Sequence, residues 1–232
     1  MRICGLQKLT LLDYPGKTAC TVFTGGCNFR CPFCQNTPLV LRPGEEPDIG
    51  EESFLAFLEK RQGLLDGVVV SGGEPTLQPE LPDFLQKIKA LGYAVKLDTN
   101  GGKPEVLASL LDSGLVDYVA MDIKNSPEKY ALTAGVPELD LAPIRESAAL
   151  LLERGCGEFR TTVVQELHTP EDMAAIGSWL TGAERYFIQN FRDSGDILSP
   201  GLHPCTKDQL QALLDAVRAF LPGAQVRGEE DF

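Results

Sequence analysis

The segment TGGCNFRCPFCQN, residues 24–36, places thiols at Cys27, Cys31 and Cys34. The Cys-x3-Cys-x2-Cys spacing concentrates three soft ligands on one short loop, and thiolates suit zinc or iron–sulfur clusters. A structural zinc site closes with four ligands, commonly a second Cys pair or two His. Here Cys4, Cys20, Cys156 and Cys205 are isolated, and His168 and His203 are not at ligand spacing. Three thiolates on a tight loop instead suit three corners of a cubane cluster whose fourth iron is free. Iron–sulfur, zinc and a chance grouping are the three readings, and the ligand rules favour the first.

Three further clusters of polar residues stand out. SGGEP spans Ser71 to Pro75, LDTNG holds Asp98 and Thr99, and MDIK holds Met121, Asp122 and Lys124. Alone, each has a bland reading. Gly-Gly and Pro punctuate turns, Asp and Asn favour strand-end turns, and a lone lysine is usually solvated.

The elements around these residues give them a common address. Short β-rich runs over residues 17–25, 66–73, 93–101, 116–124, 157–165 and 185–191 alternate with helical patterns. The helices are expected over 51–63, 79–92, 103–114, 142–155, 169–182 and 206–223. Phe54, Phe57, Leu58 and Arg61 recur at helical spacing. Thr169 with Asp172, and Thr206 with Gln209, have the spacing of capping boxes. Glycines 63, 92, 114 and 155 can stop their helices. About six strand-then-helix units imply parallel α/β architecture, either an open sheet or a barrel short of the usual eight units. In both, chemistry sits at the carboxyl ends of strands. The cysteines follow the first strand, GGEP the second and LDTNG the third, and MDIK ends the fourth. Residues 42–50 and 190–204 read as long loops. No domain linker is evident, so a single domain is expected, with its core over about 17–221.

Composition narrows the function classes. With 43% hydrophobic and 23% charged residues the chain is neither disordered nor low-complexity. A net charge of −12 argues against a nucleic-acid footprint, which needs a basic face. No apolar run is long enough to cross a bilayer, and the N-terminus lacks the pattern of a signal peptide. A cytoplasmic protein without membrane association is the expectation. Seven cysteines there point to metal or redox work rather than a disulfide framework.

The motif CNFRCPFC, with an aromatic before the third cysteine, resembles the signature of the radical S-adenosylmethionine enzymes. The resemblance implies a partial (β/α)6 TIM-like barrel, with Cys27, Cys31 and Cys34 holding one [4Fe-4S] cluster. The free iron would be chelated by the amino and carboxylate groups of S-adenosylmethionine. SGGEP resembles that family's GGEP motif, so Gly72, Gly73 and Glu74 would offer acceptors to the methionine ammonium. DYPGK before the first strand, LDTNG and MDIK narrow the resemblance to glycyl-radical-enzyme activases. Over roughly residues 5 to 190 the chain is most similar to activators of anaerobic ribonucleoside-triphosphate reductase. It is also similar to pyruvate formate-lyase activating enzyme, in which residues matching Asp98, Thr99, Met121 and Asp122 bind a monovalent cation. Lys124 resembles the lysine that pairs with the cosubstrate carboxylate, and Asp98 also falls at the cofactor. Phe33 would shield the cluster.

One departure is Gln35, where such activases usually carry His. Gln keeps hydrogen bonding but does not titrate. The resemblance further implies a radical that takes hydrogen from a glycine loop of a partner enzyme, and a flavodoxin- or ferredoxin-type electron donor. Two alternatives stand beside it. One is a radical enzyme acting on a small molecule or another peptide. The other is a non-catalytic iron–sulfur electron-transfer or zinc protein.

Overall fold

The computed structural model describes residues 1–193 and 195–228. The C-terminal VRGEEDF segment therefore lies partly outside the described residues. The chain divides into two compact units. One comprises Met1–Asn28 and Pro38–Ala120, the other Phe29–Thr37 and the chain from Met121 onward.

In the first unit, β1 (Gly5–Thr10) pairs antiparallel with β2 (Ala19–Thr24). The short helix α1 (Thr37–Leu41) and helix α2 (Glu51–Glu59) follow. Next come β3 (Gly67–Gly72), α3 (Leu81–Ala90), β4 (Ala94–Thr99) and α4 (Pro104–Asp112). β2, β3 and β4 are parallel neighbours, with Val22 opposite Val70 and Val70 opposite Leu97. Residues 67–70 of β3 are all buried, as expected of a parallel strand covered on both faces. On α3, Leu81, Phe84, Leu85 and Ile88 form the buried stripe of an amphipathic helix. The Phe84 ring meets Phe54 of α2 at 5.7 Å. Tyr14 of DYPGK is buried 6.1 Å from the Tyr118 ring.

The strand β5 (Tyr118–Asp122) carries the chain across the unit boundary. The second unit continues with α5 (Tyr130–Ala134), α6 (Ala142–Arg154), β6 (Gly157–Val163) and α7 (Pro170–Trp179). It closes with β7 (Tyr186–Asn190), α8 (Lys207–Arg218) and β8 (Gln225–Arg227). β6, β7 and β8 are parallel neighbours. Tyr130 is buried between Phe29 and Trp179, with ring centroids 6.5 and 6.0 Å away.

The six expected strands and six long helices are present, with shorter ends. Both capping boxes form, Thr169 with Asp172 and Thr206 with Gln209. Among the described residues, two strands and two short α-helices were not anticipated. β1 is largely exposed and carries no apolar alternation, whereas α1, α5 and β8 are too short to show a period.

Candidate active site

In the first unit the ends of β2 and β3 are joined by backbone bonds, and the Glu74 side chain ties in the end of β4. β2 runs into Gly25, Gly26 and Cys27, and β3 runs into Gly73 and Glu74. Gly73 N–H donates to the Thr24 carbonyl (2.9 Å), Glu74 N–H to the Gly26 carbonyl (2.8 Å) and Gln78 Nε2 to the Gly25 carbonyl (2.8 Å). A Cβ on Gly73 would stand 1.9 Å from the Gly26 oxygen. Only glycine permits this approach, so the second glycine of GGEP is what lets the two loops touch. Gly72 ends β3 itself.

Glu74 is buried, and four donors surround its carboxylate. Oε1 accepts from Thr76 N–H (3.1 Å), Thr76 Oγ1 (2.6 Å) and Thr99 Oγ1 (2.8 Å). Oε2 accepts from Asn100 N–H (2.7 Å). Burial pushes the carboxyl up, against the pull of these bonds. Glu74 thereby ties the loop after β3 to the loop after β4. The Thr99 hydroxyl also accepts from Gly101 N–H (3.1 Å). Asn100 Nδ2 donates to Asn28 Oδ1 (2.8 Å) and lies 3.9 Å from Cys27 Sγ. N–H groups near a cluster thiolate tune its potential. Asp98 Oδ1 lies 2.5 Å from Nζ of Lys96, a fully buried lysine.

The second unit holds Cys31 and Cys34. Their loop turns through Cys34 N–H to the Cys31 carbonyl (3.0 Å). Its anchors are Arg30 N–H to the Ala134 carbonyl (2.8 Å) and Ser199 N–H to the Pro32 carbonyl (2.9 Å). Gly135, with φ +66°, would place a Cβ 2.1 Å from the Arg30 oxygen. Gln35 Nε2 donates to the Arg192 carbonyl (2.5 Å), so the residue at the departing position holds the loop after β7.

Met121 is buried in β5. Asp122 Oδ1 meets Arg160 Nη2 (2.9 Å), and its Oδ2 meets Lys124 Nζ (3.2 Å). Burial works to raise its carboxyl, but Arg160 and Lys124 outweigh this and hold it at about 2. Burial works to lower the Lys124 ammonium, but Asp122 holds it well above the ordinary lysine range. Val164 N–H donates to His168 Nδ1 (3.1 Å), so the proton of the neutral ring sits on Nε2 and bonds the Lys124 carbonyl (2.9 Å). His168 is buried, its pKa is held below 6.5 by burial, and its ring meets Phe33 edge-on at 6.4 Å. The sequence offered no signal for this role; an isolated histidine usually sits at the surface.

Among the described residues, no three His, Cys, Asp or Glu side chains already stand together as a metal cage. The donor set still fits an iron–sulfur cluster. It is purely thiol, with Cys31 buried and Cys27 and Cys34 half-buried. Burial raises the thiols of Cys20 to about 12 and Cys205 to about 11, the state of inert structural cysteines.

The Radical SAM superfamily model matches residues 21–180. The chain belongs to the radical SAM superfamily. As a radical SAM enzyme it uses a [4Fe-4S] cluster and S-adenosylmethionine. It is 31% identical, over 97% of its length and 95% of the relative's, to a Methanocaldococcus jannaschii protein provisionally named a glycyl-radical enzyme activating enzyme. It is 32% identical to the pyruvate formate-lyase-activating enzyme of Listeria monocytogenes, over 61% of this chain and 62% of that one. Among solved structures it is similar to Streptococcus suis SuiB bound to S-adenosylmethionine, with TM-score 0.68 at 15% identity. That match covers 89% of this chain and 49% of SuiB. The fold is the expected one, α/β of the partial TIM-barrel type found in radical SAM enzymes. No helix among the described residues is long and apolar enough to cross a membrane.

Proposed function

We propose that this radical SAM enzyme is a glycyl-radical-enzyme activase, whose macromolecular substrate is a glycine loop on a partner enzyme. The observation that carries the reading is the near full-length kinship with the Methanocaldococcus jannaschii activating protein. The resemblance of its sequence motifs to activators of anaerobic ribonucleoside-triphosphate reductase makes that reductase the first partner to test. A flavodoxin or ferredoxin is the donor to test with it.

Cys27, Cys31 and Cys34 would hold the cluster, which when bound supplies reductive cleavage of S-adenosylmethionine to a 5′-deoxyadenosyl radical. The chain's own residues bind and orient. Gly72 and Gly73 would let backbone approach the cosubstrate, and Glu74 keeps that loop locked to the end of β4. Lys124 would pair with the cosubstrate carboxylate, positioned through its carbonyl by His168. We read residues 17–221 as the radical SAM core.

The test is anaerobic reconstitution followed by EPR of the reduced protein with and without S-adenosylmethionine. The expected result is a [4Fe-4S]1+ signal that changes on addition, then a glycyl radical in the partner when both are mixed. A cluster signal indifferent to S-adenosylmethionine would sink the reading. Alanine at any of the three cysteines is expected to lower bound iron, whatever the activity.

A further inference from the structure

The residues that match a monovalent-cation site in pyruvate formate-lyase activating enzyme are Asp98, Thr99, Met121 and Asp122. In this chain they do not fit a free cation. A hard cation needs oxygen atoms with charge or lone pairs to spare. In the first unit, Asp98 already faces the Lys96 ammonium at 2.5 Å. The Thr99 hydroxyl donates to Glu74 and accepts from Gly101. In the second unit, Asp122 is paired with both Arg160 and Lys124. Each carboxylate thus has a covalently tethered positive charge inside its own unit.

Lys96 is the informative residue. It lies in the middle of β4 with no exposed surface, between the buried Val95 and Leu97. A buried ammonium is tolerated only beside an opposite charge. Residues two apart on a strand share a face, so Asp98 presents its carboxylate on the same side as Lys96. We propose that Lys96 supplies to Asp98, as a side-chain ammonium, the positive charge for which that carboxylate would otherwise recruit a monovalent metal cation. The enzyme is then independent of sodium and potassium as specific ligands. This rests on Asp98 lying at the cofactor site, as in the activase reading, but its test does not.

The test is the thermal midpoint of the reconstituted protein in potassium, sodium or tetramethylammonium chloride at equal ionic strength. Neither cosubstrate nor partner is needed, so a failed activase assay leaves the result interpretable. Equal midpoints for wild type in the three salts are expected. A site of about millimolar affinity would instead raise the midpoint in potassium or sodium by about 5–10 °C at about 0.1 M salt, and would overturn the proposal. Lys96→Met removes the tethered charge while keeping the bulk. Its midpoint should rise in potassium or sodium relative to tetramethylammonium, which is too large for the vacated place. A folded Lys96→Met protein indifferent to all three salts would also overturn the proposal. If that variant does not fold, the wild-type comparison decides.

Discussion

Replacing Glu74 by Gln isolates the role of the buried carboxylate in GGEP. The amide is nearly isosteric, so packing is kept and only hydrogen bonding and charge change. In the better orientation its oxygen takes the Oε1 place and retains both Thr76 donors and Thr99 Oγ1. The NH2 group then faces Asn100 N–H across what was a 2.7 Å bond. A lost bond to a charged acceptor costs about 1.5–3 kcal/mol. Part is offset because the variant no longer buries a charge, the effect that raises the Glu74 carboxyl. A net loss of ~2 kcal/mol corresponds to a midpoint lower by ~4–8 °C for a chain of this length. The assay is thermal unfolding of anaerobically purified protein, with Thr99→Val and the double variant alongside. Because Thr99 and Glu74 touch, the cycle should show a coupling energy of about 0.5–3 kcal/mol. A Gln variant that unfolds with wild type, or additive single effects, would refute the view of Glu74 as the tie between the two loops.

Gly73→Ala should lower stability by ~1–3 kcal/mol and reduce iron per protein after reconstitution, because the new methyl meets the Gly26 carbonyl beside Cys27; iron analysis with unfolding checks it. His168 has a folded pKa below its ordinary 6.5, so the unfolded chain binds more protons and stability falls as pH drops below 6.5. A His168→Gln protein should lack that contribution, seen as a difference in slope of up to ~1.4 kcal/mol per pH unit between the two; parallel pH profiles would contradict it. Asp122, held at about 2, contributes stability that is present above its unfolded value of 3.8 and lost as pH falls toward 2. Asp122→Asn should therefore flatten the acid limb of the urea-unfolding profile. Thr206→Ala removes the cap bond to Gln209 N–H and should lower the midpoint by ~2–4 °C, for about 1 kcal/mol.

What could be read from the chain alone was whatever local chemistry determines. Thr169 and Thr206 announce helix starts because a capping box closes within four residues. β3 announces itself because GVVV has no polar residue to place. The GGEP turn is legible, but not its reason, since the contact of Gly73 with Gly26 joins loops far apart in sequence. Lys96 has no role in the sequence analysis. Its signal was its position between Val95 and Leu97 in a strand buried on both faces, two residues before a carboxylate. The placement of Asn100, Asn28 and His168 depends on long-range hydrogen bonds and left no mark in periodicity. β1 was missed because an exposed antiparallel strand need not alternate.

The second unit claims Phe29–Thr37, a short piece flanked on both sides by the first unit's chain. On the ribosome this matters. β2, β3 and β4 each pair with the preceding strand, so the pairing partners of the first unit's strands are all made before the second unit's strands. The segment bearing Cys31 and Cys34 differs, because Arg30 must wait for Ala134 and Pro32 for Ser199. At about 5–20 residues per second, the last of these partners arrives roughly 10–30 s after the cysteines. Over that interval the loop gains its anchors one at a time, Ala134 first and Ser199 last. The cysteine segment is thus among the first parts of the chain to be made and among the last to be held in place.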